Sequence, residues 1–146
     1  MKRNFLSTLR FLFGLKDLPN REIRESEARV IDILRNRLNT FMLQQQPYLQ
    51  EHYSLKDLSD DMNIPLHQLS AFLNKHVGMH FNDYLNQFRI RHCEDLIKKE
   101  VPGRVNLKEL VYKCGFHNRN TFASAFKKFT GKTPSDYVRE RERAQR

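Results

Sequence analysis

Residues 118–129 place polar side chains on one face of a predicted helix and apolar side chains on the other. The apolar residues recur at three- and four-residue steps, the spacing of a buried helical face: Phe122, Ala125, Phe126 and Phe129. The opposite face presents Arg119, Asn120, Ala123, Ser124 and Lys127. Because arginine pairs bidentately with guanine and asparagine with adenine, this face has the chemistry of a base-reading helix. The alternative is a polar helix surface that contacts only water.

Phosphate contacts are also expected near this helix. Lys127, Lys128 and Lys132 can bind phosphates, although runs of charge are often simply solvated. Asn118 is a candidate N-cap, and the free backbone N–H groups of a helix start can themselves bind a phosphate. The same reasoning applies to the helix start at Pro65, earlier in the chain.

The stretch that begins at Pro65 has the same two-faced pattern. Leu69, Phe72 and Leu73 predict its buried face. Its exposed face offers His67, Gln68, Ser70, Ala71, Asn74 and Lys75. We expect nucleic-acid contacts from this face too, because histidine, glutamine and asparagine can hydrogen-bond to base edges or phosphates.

Other chemistries find little support in the sequence. His76 and His80 have the i, i+4 spacing of a zinc pair, but Gly78 lies between them and no H-E-x-x-H motif is present. Cys93 and Cys114 are interpreted as small core residues. The sequence shows no glycine-rich phosphate loop and no plausible Ser–His–Asp arrangement, so we expect no metal, no cofactor and no enzymatic activity.

Composition favours an anionic partner. The chain has 146 residues, enough for one domain or two very small ones, and a formal net charge of +9. The charge is uneven: residues 1–46 carry +4, residues 47–101 carry −2 and residues 102–146 carry +7. Two cysteines argue against a disulfide-rich secreted scaffold, so a reducing, cytoplasmic location is expected. Nucleic acid and an anionic membrane surface both remain candidate partners at this point.

The N-terminal third is predicted to be helical. The apolar stretch from Phe5 to Leu15 is interrupted by Arg10 and is too short to span a membrane, which needs about 20 residues. We interpret it as a short amphipathic helix rather than a signal peptide. From Ile23 to Gln46 apolar residues recur with helical spacing up to Pro47, which predicts a helix that caps the core in preference to a coiled coil.

An internal repeat organises the rest of the chain. Ser54–Leu58 and Asn106–Leu110 each begin with an N-cap residue followed three residues later by an acid. A turn follows in each copy, with Asn63 in the first and Gly115 in the second, and both residue types tolerate positive φ. Four residue pairs then keep an offset of 53: Lys75/Lys128, Gly78/Gly131, Asp83/Asp136 and Tyr84/Tyr137. Each copy has the proportions of a helix-turn-helix, whose second helix enters the major groove of DNA.

A long helix is predicted between the two copies. Its apolar face ends near residues 101–103, and a helix of about 20 residues measures about 30 Å, close to the spacing of successive major-groove faces. Arg89 and Arg91 on this helix would form salt bridges or contact the DNA backbone between the grooves.

The predicted fold is all-α, with two helix-turn-helix subdomains, a long connecting helix and an N-terminal helical extension. The boundaries are 1–46 for the extension, 47–79 for the first helix-turn-helix, 80–101 for the connecting helix, and 102–146 for the second helix-turn-helix with the C-terminal helix.

The repeat resembles the DNA-binding domain of the AraC/XylS family of bacterial transcription regulators over roughly residues 50–140. The second copy carries the resemblance in Gly115-Phe116, Thr121-Phe122, residues 125–129, Gly131 and residues 133–137. The first copy matches through Leu55, Leu58, residues 69–73, Gly78, Phe81, Tyr84 and Arg89-Ile90. The resemblance implies about seven helices, binding to double-stranded promoter DNA, and activation of transcription together with RNA polymerase.

This sequence departs from the family pattern in two places. Asn63 stands where the family often has glycine, and the base-reading positions of the first recognition helix would fall on Leu66, His67, Ser70 and Ala71. None of these four is a long polar or cationic side chain, so readout there would be weak, apolar or water-mediated.

Only about 50 residues precede the repeat, whereas family members usually carry a sensing region there. We therefore expect either a stand-alone regulator or a piece of a longer chain with a sensor domain, and in the second case a membrane tether is an option. No effector site is visible, and the sequence leaves the operator, the choice between activator and repressor, and the oligomeric state open. The rival hypothesis is a helical membrane-surface or protein-interaction module with a basic face, anchored by the stretch from Phe5 to Leu15.

Overall fold

The structure is a computed structural model that describes residues 20–144. Within this part of the chain all regular structure is helical, which confirms the predicted all-α fold. The expected amphipathic helix from Phe5 to Leu15 lies outside the described residues. None of the helices that the structure describes has the length and apolar character needed to cross a membrane.

Seven α-helices follow one another along residues 20–144. They are α1 (Asn20–Gln45), α2 (Leu55–Met62), α3 (Leu66–Phe72), α4 (Phe81–Lys99), α5 (Leu107–Lys113), α6 (Arg119–Thr130) and α7 (Pro134–Ala144). A 3-10 turn, Pro47–Leu49, follows α1, and a π-helical turn, Leu73–Val77, continues α3. The described residues form two compact units. The N-terminal unit comprises 20–45 and 55–80, and the C-terminal unit comprises 46–54 and 81–144.

In the N-terminal unit, α1 packs on the first helix-turn-helix, formed by α2 and α3. Leu38 and Met42 of α1 are fully buried. Arg35 Nη2 donates a hydrogen bond of 2.9 Å to the carbonyl of His76, and Arg37 Nη2 donates one of 3.1 Å to the carbonyl of Met62. Since both acceptors lie at helix ends, α1 satisfies carbonyls that the short helices leave without an intrahelical partner.

The turn between α2 and α3 is fixed locally. Asn63 adopts a φ of 52°, as the sequence predicts for a residue type that tolerates the left-handed region. Ser59 Oγ donates a 2.6 Å hydrogen bond to the carbonyl of Ile64, and the amide of Ile64 donates a 3.0 Å bond to the carbonyl of Ser59. These two bonds orient the chain as it enters α3.

In the C-terminal unit, α4 forms the centre of the core. Its buried residues Ile90, Cys93 and Ile97 belong to one apolar cluster with residues of α5, α6 and the turn between them. That cluster also contains Leu110, Val111, Cys114, Phe116, Phe122, Ala125 and Phe126. Both cysteines are therefore core residues, as the sequence predicts.

The α5-turn-α6 segment has the predicted caps and turn. Asn106 Oδ1 accepts from the amides of Lys108 and Glu109, at 3.1 Å and 3.4 Å, and its Nδ2 donates to the Glu109 carboxylate at 2.8 Å. Gly115 adopts a φ of 78°. Asn118 Oδ1 accepts from the amide of Thr121 at 2.9 Å, which makes Asn118 the N-cap of α6.

Within the described residues, Arg89 forms neither a salt bridge nor an exposed surface for DNA, the two roles expected from the sequence. It is only 7% exposed and donates to three backbone carbonyls of residues 46–54: Tyr48 at 2.7 Å, Gln50 at 2.9 Å and Glu51 at 3.4 Å. A buried guanidinium needs such acceptors, because its charge loses solvation by water. Burial also lowers the pKa of Arg89. The expectations of a salt bridge or a DNA contact are wrong for Arg89, whereas Arg91 is exposed.

Candidate nucleic-acid interface

Helix α6 presents a polar face because its apolar face is held in the core. Phe122, Ala125 and Phe126 are at most 5% exposed, and Phe129 is half-buried. The predicted site residues on this helix and its cap are all exposed: Asn118, Arg119, Asn120, Ser124, Lys127 and Lys128. The helical spacing of the buried residues therefore directs these side chains together toward solvent.

Arg119 and Asn120 occupy the first turn of α6. In this turn the backbone N–H groups not used by the Asn118 cap point out of the helix, and the helix dipole contributes partial positive charge. Neither Arg119 nor Lys127 has an ion-pair partner among the residues that the structure describes. Their charges are therefore available to an anionic ligand.

Lys128 is engaged within the protein. Its Nζ lies 2.6 Å from Asp83 Oδ1 of α4, and it also lies 5.9 Å from the ring centre of Phe129. A phosphate that bound Lys128 would have to compete with the Asp83 carboxylate. Lys132 is paired in the same way with Glu140 of α7.

An open cleft lies beside this ion pair, between α4 and α6. Its polar lining includes Asp83 and Asn86 from α4, and Asn120, Thr121 and Ser124 from α6. The sequence reasoning missed Thr121, which is exposed in the cleft one turn before Ser124. The i, i+3 spacing of these two residues was the signal that could have identified it.

Helix α3 offers a less accessible polar face. Leu69, Phe72 and Leu73 are fully buried, as predicted. His67, Ala71, Asn74 and Lys75 are exposed, whereas Gln68 and Ser70 are only half-exposed. Leu66, at the start of the helix, is 45% exposed. The exposed face of α3 therefore has fewer exposed polar side chains than that of α6, and it includes the apolar side chain of Leu66.

The end of α3 differs from a regular helix. The π-helical turn Leu73–Val77 places Asn74 and Lys75 in a wider turn than an α-helix would, and Gly78 ends it with a φ of 77°. Burial lowers the pKa of His76, with smaller contributions from Lys75 and Arg35. The half-buried imidazole packs on Phe72, with ring centres 5.4 Å apart.

Comparison with known proteins identifies several relatives. A family model described as a helix-turn-helix domain matches residues 58–140. The uncharacterized HTH-type transcriptional regulator YijO of Escherichia coli K12 is 31% identical over 97 residues, which cover 64% of this chain and 33% of YijO. The HTH-type transcriptional activator RhaR of E. coli K12 is 28% identical over 89 residues, which cover 61% of this chain and 30% of RhaR. The chain thus spans about a third of the length of these curated relatives.

Solved structures have the same fold. A protein of unknown function from Listeria innocua is 30% identical with a TM-score of 0.60, over 73% of this chain and 95% of that one. The C-terminal domain of the response regulator yesN from Fusobacterium nucleatum is 25% identical with a TM-score of 0.59, over 72% and 97%. The C-terminal domain of AraT, a response regulator from Geobacillus stearothermophilus, is 22% identical with a TM-score of 0.60, over 72% and 83%, and shares the fold.

Proposed function

The chain belongs to the AraC/XylS family of helix-turn-helix domains, and from this premise we propose that it regulates transcription by binding a specific promoter sequence. The observation that carries the proposal is the polar face of α6. Helix α6 is the second helix of a helix-turn-helix unit, and Arg119 and Asn120 lie in its first turn. Its buried phenylalanines orient the polar face toward solvent. This is the position from which a recognition helix contacts base edges.

In this proposal the two ends of α6 have different tasks. Arg119 and Asn120 read bases, and each side chain–base pair contributes about 1–3 kcal/mol of discrimination against a wrong base. Ser124 contacts a base or phosphate, and Lys127 contacts phosphate. Lys128 contributes less than Lys127, since it first has to exchange Asp83 for a phosphate. Asn118 fixes the helix start and leaves neighbouring backbone N–H groups for a phosphate.

We assign a supporting role to α3. His67, Asn74 and Lys75 supply its exposed polar contacts, and the half-exposed Gln68 and Ser70 add hydrogen bonds at the edge of the contact. With two recognition helices in successive major grooves, the site would span roughly 20 base pairs. The acidic balance of residues 47–101 means that α3 adds specificity more than electrostatic affinity.

The wider regulatory role is also a proposal. RhaR is described as a transcriptional activator, and we propose activation, with RNA polymerase as a partner, for this chain. The protein would act in the cytoplasm, on the nucleoid. A sensing domain would belong to a longer chain, as the length of the relatives suggests.

The test is selection from a randomised duplex library at two salt concentrations, with sequencing of the bound fraction. Two enriched motifs about one helical turn apart are expected. Binding without an enriched motif would contradict sequence-specific function and favour a basic surface that binds anionic membranes or other polyanions.

Two variants refine the test. Arg119→Ala should relax base preference at one position of the site. Arg104→Ala removes the same charge from an exposed loop residue outside α6 and should leave base preference unchanged. An equal loss of affinity on all sequences for Arg119→Ala would make Arg119 a phosphate contact and refute its assignment.

A further inference from the structure

A cluster of two histidines and one glutamate lies on the surface of the C-terminal unit, and we propose that it binds Zn²⁺. Its members are Glu51, His52 and His117, and one ligand atom from each lies within 4.8 Å of the other two. His117 Nδ1 is 2.6 Å from Glu51 Oε1, and the rings of His52 and His117 have centres 5.1 Å apart. Residues 51 and 117 are 66 positions apart in the sequence, so the fold brings this donor set together.

The donor set fits zinc. Two imidazole nitrogens and one carboxylate oxygen supply three ligands at about 2.0–2.2 Å, and water completes a tetrahedral site. Ligand atoms at these bond lengths lie about 3.3–3.6 Å apart, so modest side-chain rotations would bring the three residues from their present separation to coordination distance. All three are exposed, so an ion can enter from solvent without opening the core.

The backbone that carries these ligands is already held in place. Arg89 fixes the loop with hydrogen bonds to the carbonyls of Tyr48, Gln50 and Glu51. The turn that carries His117 approaches the same loop so closely that a Cβ on Gly115 would lie 2.3 Å from the carbonyl oxygen of Tyr48. Loop and turn are thus held in place by backbone contacts that do not involve the ligand side chains. Ion binding would therefore order only side chains, which lowers its entropic cost.

A bound ion would cross-link the loop before α2 to the turn before α6. His117 directly precedes Asn118, the N-cap of the proposed recognition helix. Zinc would also replace the short Glu51–His117 contact by two coordinate bonds and add positive charge at the start of α6. The site itself does not depend on the proposed DNA-binding function, because its ligands lie outside the polar face of α6.

The experiment is calorimetric titration of the full chain with zinc chloride at pH 7.5, where most imidazoles are neutral. One ion per chain is expected to bind. Glu51→Gln, His52→Ala and His117→Ala should each weaken the affinity at least about tenfold. His80→Ala is the matched control, because it removes an exposed histidine of the N-terminal unit and should leave the affinity unchanged. Zinc should raise the Tm of the wild type and the control but not that of His117→Ala.

Three results would overturn the proposal. The first is the lack of stoichiometric binding by a chain that circular dichroism shows to be folded. The second is the same affinity in the wild type and all three ligand variants. The third is half an ion per chain with dimer formation in gel filtration, which would place the ion between two molecules. Because every readout is free of DNA, failure here is distinct from failure of the proposed regulatory function.

Discussion

Gly115 combines a left-handed backbone with a very close approach to a neighbouring segment, and replacing it by alanine should strongly destabilise the C-terminal unit. Its φ is +78°, and a Cβ would lie 2.3 Å from the oxygen of Tyr48 and 2.9 Å from Cα of Leu49. The left-handed conformation alone costs a non-glycine residue about 1–2 kcal/mol. The overlap with backbone atoms adds about 1–3 kcal/mol, the usual cost of overpacking. Gly115→Ala should therefore lower the free energy of unfolding by about 2–5 kcal/mol.

Gly131 provides the matched control for this prediction. It has nearly the same φ, +76°, but an added Cβ would meet nothing within 4 Å. Gly131→Ala should cost only the conformational part, about 1–2 kcal/mol. The measurement is urea unfolding followed by circular dichroism, with the m-value compared among wild type and both variants. Equal destabilisation by the two substitutions would refute the argument from close approach.

Two further predictions concern charge and pH. Asp83→Asn should release Lys128 and make the slope of log affinity against log salt concentration more negative by about 0.9. Asp95→Asn also removes one acid of α4, but its partner is Lys98, which lies outside α6, so this variant should leave the slope unchanged. Equal slopes for the two variants in a filter-binding assay would contradict the role given to the Asp83–Lys128 pair. Burial lowers the pKa of His76, so the folded state favours the neutral imidazole, and stability should fall as the pH drops below about 6.5. Urea unfolding should show that the free energy of unfolding decreases less from pH 7.5 to pH 5.5 in His76→Gln than in wild type or His80→Gln. An identical decrease in all three proteins would show that His76 is not its cause.

Local features of the fold were predictable because neighbouring residues determine them. Asn106 and Asn118 are caps because a short side-chain acceptor reaches amides two or three residues ahead. Asn63 and Gly115 have positive φ because asparagine tolerates the left-handed region and glycine has no Cβ to clash there. The buried face of α6 follows from helical spacing in the same way. The all-α fold and the helix-turn-helix units are consequences of such local signals, which occur in both copies of the repeat.

Features that depend on distant residues were not predictable. Arg89 looks like any exposed helix cation in the sequence, and only the packing of residues 46–54 against α4 makes it a buried donor to three carbonyls. The Glu51–His117 contact joins two segments that no sequence pattern connects. The half-burial of Gln68 and Ser70 likewise depends on how α3 packs within its unit. Helical periodicity identifies the polar face of a helix, but tertiary contacts determine which residues of that face are exposed to solvent.

The structure also changes the electrostatic argument from the sequence. A net charge of +7 over residues 102–146 suggested strong phosphate binding by the second helix-turn-helix. However, Lys128 is paired with Asp83 and Lys132 with Glu140, so α6 keeps Arg119 and Lys127 as its cations without an ion-pair partner among the described residues. Even if both cations contacted phosphates, α6 would contribute a salt slope of only about −1.8. Affinity from α6 should then depend on base contacts more than net charge implies, which is the balance that a sequence-specific regulator requires.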